Sequence, residues 1–399
     1  MCFSRLLTAL LFLIFVAPPL SAQTERAQPL ETKPSEVQPT EAKPSPDYSK
    51  LQYKIPLVHE KANEPVVALA FSHDSKIIAV LYPNSIGFWT TSKGAPLGFA
   101  PGTREKFTAL AFGSNGLLVT GGENGGVALW DWHDLARPKL RTGAFDPITA
   151  IALSPDNSLI VTAQRSDPPS VAVWDANTGK MLRNLTGFSH APTALHFTPD
   201  GAQLLTGGGG LGGRTGEFWL DTPLYSTTGE FTRWNVHSGT LEKQVGFNDG
   251  SPNCAFSPNG SLLATVGRGA AVGPRRTSWL GTQVRVWRVP GGSENDNGSF
   301  MPATLKRSQR SMVHNPGRPS IAFSADQRVL GFCENYHITL WSGSAGQASS
   351  LELGYPYPYG PWYNGISPSS SSGAMAFSSD GKMMAVGGHS RAAIWKMVR

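Results

Sequence analysis

The sequence predicts an all-β protein, and three observations carry that expectation. Glycine and proline, 44 and 31 of 399 residues, are too abundant for a helical chain and suit many tight turns. Aromatic residues make up 10% of positions, with 11 Trp and 19 Phe, and such side chains favour pleated, half-buried surfaces. One short pattern ending in Trp also recurs along most of the chain. The 40% hydrophobic content is enough for a core and excludes disorder throughout. Three cysteines are too few for a disulfide-built scaffold or a multi-cysteine metal cluster.

Residues 1–22 read as a secretory signal. Arg5 gives a positive start, Leu6 to Val16 is apolar apart from Thr8, and Leu20-Ser21-Ala22 offers a small-residue cleavage site. The apolar run is shorter than the roughly 20 residues a bilayer requires. Gln23 stands where lipid attachment would need cysteine. The expectation is an exported protein, periplasmic or extracellular, with no transmembrane segment after signal removal. Residues 23–52 are rich in Pro, Glu, Thr and Lys and poor in large apolar side chains, so they read as a tether. Beyond the signal only Cys254 and Cys333 remain, each inside an apolar run, and both read as small buried hydrophobes.

From residue 53 to 399 the chain repeats one unit seven times. A short apolar strand ends in Phe71, Phe112, Leu153, Phe197, Phe256, Phe323 or Phe377. A polar turn, a second apolar strand and a third strand follow, the last ending in Trp89, Trp130, Trp174, Trp234, Trp287, Trp341 or Trp395. The turn keeps one chemical type, as in Ser154-Pro155-Asp156-Asn157, Thr198-Pro199-Asp200-Gly201 and Ser257-Pro258-Asn259-Gly260. Such residues accept positive φ or bond their own backbone, which suits hairpins.

On these residues the chain resembles the WD-repeat family. Trp130-Asp131 and Trp174-Asp175 carry the family dipeptide, whereas the other five Trp residues do not. The Gly-His pair that usually opens a family repeat is absent, so the family's His–Asp hydrogen-bond network is expected to be incomplete. A small antiparallel sheet with two apolar faces buries both only by stacking radially with its neighbours. The expected fold is therefore a seven-bladed β-propeller of four-stranded antiparallel blades. Only Lys396 to Arg399 follow the last Trp, too few for a final strand. Residues 53–58 are expected to supply it and close the ring, with Pro56 suited to an outermost edge.

Interruptions of the repeat point to function. Phe71 to Trp89 spans 18 residues, but Phe197 to Trp234 spans 37 and Phe256 to Trp287 spans 31. A third long segment, Gly354 to Ser372, separates one blade's fourth strand from the next blade's first. Alternate turns of an up-and-down meander emerge at one end, so all three are expected on one face. Candidate binding residues there are Arg214, Trp219, Tyr225, Arg275, Arg276, Trp279, Tyr355, Tyr357, Tyr359, Trp362 and Tyr363. Tyr, Trp and Arg dominate interface hot spots, and the prolines alternating with Tyr355, Tyr357 and Tyr359 limit ordering cost. Between Arg268 and Arg318, nine Lys or Arg face only Glu294 and Asp296, an excess above the whole-chain formal charge of +6. A basic patch favours anionic partners.

No motif points to chemistry. Gly-x-Ser-x-Gly, Cys-x-x-Cys-His and His-Glu-x-x-His are all missing. Gly207 to Gly213 contains Gly-x-Gly-x-x-Gly but opens no helix, and reads as a loop root. His190 and His196, taken as one side of one strand, would lie roughly 20 Å apart, too far to chelate together. No cofactor, metal site or catalytic residue is expected. The predicted function is a non-catalytic binding scaffold for a protein, an acidic polysaccharide or another envelope component, with no nucleic-acid partner. The alternative is a glycan-active hydrolase or lyase using carboxylates such as Glu217, Asp221 or Glu230.

Overall fold

The computed structural model describes residues 52–58, 64–102, 105–143, 146–209, 229–247, 253–268, 282–289, 303–305, 320–334, 337–342, 349–353, 374–388 and 391–397. The chain divides into two units, Met1–Pro44 and Ser45–Arg399. The first unit, with the predicted signal and most of the predicted tether, lies outside the described residues.

The second unit is a seven-bladed β-propeller; its described residues form seven four-stranded antiparallel sheets. The first strand of the chain is β1 (Gln52–Val58). Blade one holds β2 (Ala68–Phe71), β3 (Ile77–Tyr82), β4 (Ser85–Thr90) and β5 (Pro96–Pro101). Blade two holds β6 (Phe107–Phe112), β7 (Leu117–Gly122), β8 (Gly126–Asp131) and β9 (Leu140–Gly143). Blade three holds β10 (Ile148–Leu153), β11 (Leu159–Gln164), β12 (Ser170–Asp175) and β13 (Met181–Thr186). Blade four holds β14 (Ala194–Phe197), β15 (Gln203–Gly209), β16 (Gly229–Asn235) and β17 (Thr240–Phe247). Blade five holds β18 (Asn253–Phe256), β19 (Leu262–Arg268), β20 (Thr282–Arg288) and β21 (Ala303–Leu305). Blade six holds β22 (Ser320–Phe323), β23 (Val329–Glu334), β24 (His337–Ser342) and β25 (Ser349–Leu353). Blade seven holds β26 (Ala374–Phe377), β27 (Met383–Gly387) and β28 (Arg391–Lys396), and β1 completes it outside β28.

The ring closes as the strand arithmetic requires. β1 pairs antiparallel with β28, Tyr53 opposite Trp395 and Pro56 opposite Ala393. First strands lie side by side around the centre, β2 against both β6 and β26. Each blade boundary holds one apolar cluster, and in each the closing Trp of one blade packs on the blade before it. Trp174 of blade three meets Ala109, Val119, Val127 and Leu129 of blade two. Trp89 of blade one meets Leu57, Ala385, Ala392 and Ile394 of blade seven. The Trp residues are thus wedges between sheets, which explains why one recurs per repeat. Trp130, Trp174 and Trp287 also donate their indole N–H to Thr120, Thr162 and Thr265, each at 3.0 Å, so the buried donor is satisfied.

The turn between first and second strands is a local hydrogen-bonded unit. Ser154 Oγ donates to Asp156 Oδ1 at 2.5 Å and accepts the Leu159 N–H at 2.9 Å, while Asp156 also accepts the Ser158 N–H. The same contacts recur from Ser72, Thr198, Ser257, Ser324 and Ser378. The fourth turn residue has positive φ, and Ser75, Asn157 and Gln327 adopt it without being glycine. Blade two departs from the pattern with Gly113. A Cβ there would overlap Asn157 Oδ1 of blade three, and that same oxygen accepts the Ser114 N–H.

Candidate functional site

Connections between second and third strands, and those from a fourth strand to the next blade, leave the described sheets at one face. That face is the one opened by Gly209 and Gly229, by Arg268 and Thr282, and by Leu353 and Ala374. The antiparallel register of each pair fixes this, and the three long connections therefore start and end on the same side. Serine-type turns occupy the opposite face. All eleven candidate binding residues, Arg214, Trp219, Tyr225, Arg275, Arg276, Trp279, Tyr355, Tyr357, Tyr359, Trp362 and Tyr363, lie outside the described residues. Of the basic stretch, Arg285 and Arg288 are described on β20, half-buried and exposed respectively.

Carboxylates brace the face where it can be seen. Glu64 accepts the Asn84 backbone N–H at 3.2 Å and its side-chain amide at 2.6 Å. Glu105 accepts the N–H groups of Asn124 and Gly126 at 2.7 and 3.3 Å. A Cβ on Gly126 would overlap the Glu105 carboxylate, so this clasp requires glycine there. Glu230 is buried and accepts three bonds: the Ser189 N–H at 2.7 Å, the His190 N–H at 3.2 Å and the Gln244 amide at 3.0 Å. These contacts tie the lead-in of a blade to the turn between its second and third strands. Nearer the centre, Thr108 donates to the Ile148 carbonyl at 2.7 Å and Thr149 to the Pro192 carbonyl at 2.6 Å, stitching blades two, three and four.

Three sequence readings change at this face. Gly207 to Gly209 continue β15 instead of beginning a loop. A Cβ on Gly207 would come within 3.1 Å of Leu263 and 3.2 Å of Cys254, so close approach of blade five accounts for glycine there. His190 lies in the bend before β14, not on one strand with His196, because Glu230 holds the backbone at Ser189 and His190. Glu230 is engaged by three donors, whereas Glu217 and Asp221 lie outside the described residues. Of the two cysteines, Cys333 is buried as expected and Cys254 is half-buried, with its Sγ 3.3 Å from the Thr193 hydroxyl. A cavity of about 230 Å³ beside Glu105, lined also by Phe107, Thr120 and Arg141, is smaller than the roughly 300 Å³ at which small-molecule sites begin. Among the described residues, no three His, Cys, Asp or Glu converge to hold a metal, and no helix is long and apolar enough to cross a membrane.

The architecture defines the class, and likeness to known proteins refines it. The family described as "WD domain, G-beta repeat" matches residues 138–175, which run from the approach to β9 to the end of β12. Protein groucho of Drosophila melanogaster is 27% identical over 152 residues, covering 37% of this chain and 18% of that protein. U3 small nucleolar RNA-associated protein 21 of Saccharomyces cerevisiae is 26% identical over 206 residues, covering 49% and 20%. The chain thus spans about a fifth of these curated relatives. The solved Myceliophteria thermophila Cps50 (Swd1) β-propeller domain superposes with a TM-score of 0.62 at 15% identity, over 87% of this chain and 99% of that one. Repeat, fold and relatives together support a WD-repeat β-propeller protein.

Proposed function

We propose that the protein is an exported, non-catalytic scaffold that captures an anionic partner, an acidic protein surface or an acidic polysaccharide, on the face carrying its long connections. The observation that carries this reading is the placement of strand ends: the three long connections bridge strands that open on one side of the ring. The sequences of these connections contain Arg214, Arg275 and Arg276 as well as Trp219, Trp279, Trp362 and the tyrosines Tyr355, Tyr357 and Tyr359. Arg supplies charge and bidentate donors, and Tyr and Trp supply contact area with few rotamers to freeze. Export rests on the residues of 1–22, and it makes nucleic acid an unsuitable anion for this surface.

The test replaces 210–228, 269–281 and 354–373 with short turns, singly and together. Circular dichroism and the unfolding midpoint should stay close to those of the full chain. Crosslinked capture from the extracytoplasmic fraction, or retention on an immobilised acidic polysaccharide, should be lost. Capture that survives the triple replacement overturns the reading. Retention that weakens with salt supports the anionic partner, since screening acts within about 8–10 Å at physiological ionic strength.

A further inference from the structure

The seven blades share one row of residues that differs at a single boundary. The row crosses the first three strands on the side facing the next blade. It reads Ala70–Ala79–Phe88 in blade one and Ala111–Val119–Leu129 in blade two. Blade three has Ala152–Val161–Val173 and blade five Ala255–Ala264–Val286. Blades six and seven have Ala322–Gly331–Leu340 and Ala376–Ala385–Ile394. In blade four the row is His196–Leu205–Arg233, with Lys243 next on β17. Alanine has become histidine and an aliphatic or phenyl side chain has become arginine, both at the seam with blade five. That seam also holds a small apolar cluster, built from the buried Leu205, Phe231, Leu263 and Trp287.

The histidine is half-buried at the seam. Its ring stacks on Phe256 of blade five, centroids 5.9 Å apart and planes 28° from parallel. The ring bonds the Pro258 carbonyl, which accepts one N–H. Its Nε2 is buried and has no hydrogen-bond partner among the described residues. Gly260 faces that atom: a Cβ on this glycine would sit 3.7 Å from Nε2, and glycine offers it no side-chain acceptor. Arg233 is 7% exposed and two strands away in the same row, about 9.5 Å by strand spacing. Among the described residues of β18, β19 and the turn between them, no carboxylate faces the ring. Lys243 is cationic, Cys254 is a thiol, β19 carries no titratable side chain from Leu262 to Gly267, and neither does the turn from Ser257 to Gly260.

We propose that the boundary between blades four and five is a proton-sensitive joint in which His196 is the sensor. Neutral His196 donates once, to Pro258, and stacks on Phe256. Protonation adds an N–H at Nε2, an atom with no hydrogen-bond partner among the described residues, and places a charge in the seam. Burial holds the His196 pKa below its ordinary value, outweighing the Pro258 carbonyl, which favours the charged ring. The folded chain therefore takes up this proton less readily than the unfolded chain. The seam's share of stability is complete above about pH 6.5 and is lost as pH falls from there toward the folded-state pKa, up to about tenfold in the opening equilibrium per pH unit of depression. The other six boundaries have no such group in the row, so the acid response is confined to one joint.

Hydrogen exchange of the full chain at about pH 8 and about pH 5.5, corrected for intrinsic chemistry, reads the joint directly. Amides of β14 and β18 should lose protection on acidification, by up to about tenfold, while β6 and β10 at the boundary of blades two and three change little. His196→Gln, neutral at both values, should abolish the difference between the two boundaries. Equal acid response at both boundaries, or an unchanged response in His196→Gln, overturns the proposal. Should the variant fold poorly, the wild-type NMR titration decides alone: a His196 pKa at or above about 6.5 refutes the joint, and a lower one supports it.

Discussion

Asp156 illustrates what single residues contribute to the turn face. The Ser154 hydroxyl, then the Ser158 N–H and hydroxyl, hold its carboxyl at about 2, below the ordinary 3.8. A carboxylate stabilised in the folded state contributes above about pH 4, and that contribution disappears as pH falls from about 4 to about 2. Asp156→Ala should therefore flatten the acid limb of the stability curve in that window. The cost near neutrality should stay within about 1 kcal/mol, because the turn is solvent-exposed and screened. Asn157, next along, is a harsher position: it is buried, holds φ at 58°, and bonds across to Ser114 through both ends of its amide. Asn157→Ala keeps the strained backbone and removes both bonds, for an expected loss of about 2–3 kcal/mol in urea titration. Serine-Asp turns were legible from composition and spacing. The anomaly of Gly113 was not, because its cause is a side chain of the following blade, brought near only by the stacking of sheets.

At the scale of elements, each sheet is held by the wedge its neighbour drives into it. Trp174→Ala removes an indole that is 3% exposed and should cost about 3–5 kcal/mol. Trp174→Phe retains much of the apolar contact but leaves Thr162 without its donor, for about 1 kcal/mol. Guanidinium unfolding of the two variants separates the terms. Strand number, strand order and the closing role of residues 53–58 could all be read in advance, since a Trp-terminated period of apolar runs admits few arrangements. Glycine-rich β15 misled for a definite reason: Gly207 and Gly208 look like a loop by composition, yet serve the approach of blade five and of the backbone at Ala191 and Pro192. Glu105 and Glu230 gave no local motif, because each recognises backbone N–H groups far along the chain and carboxylates follow no fixed spacing from such partners. The His196–Arg233 pair was available in principle, by aligning the seven repeats position for position instead of seeking motifs within one.

For the whole molecule, the pairing of β1 with β28 decides whether the ring is a closed object. Deleting 52–58 exposes the β28 edge and removes Leu57 from its buried place, and the thermal midpoint should fall by on the order of 10 °C. An unchanged midpoint would mean that the seven boundaries alone hold the ring. The binding face was legible as a placement of long connections, while the side chains proposed to read the partner could not be located from spacing, because loop residues obey no period. The closing strand also has a consequence for biosynthesis. Its partner, β28, is made after the strands of blades one to six, so a nascent chain carries an unmated β1 until β28 has emerged. Blades one to six can form as their own strands emerge, each needing only local partners, but the seventh sheet waits for β26 to β28. During that interval β1 is an unpaired edge and a ready template for foreign strands, which makes it the point at which a chaperone would have the most to protect.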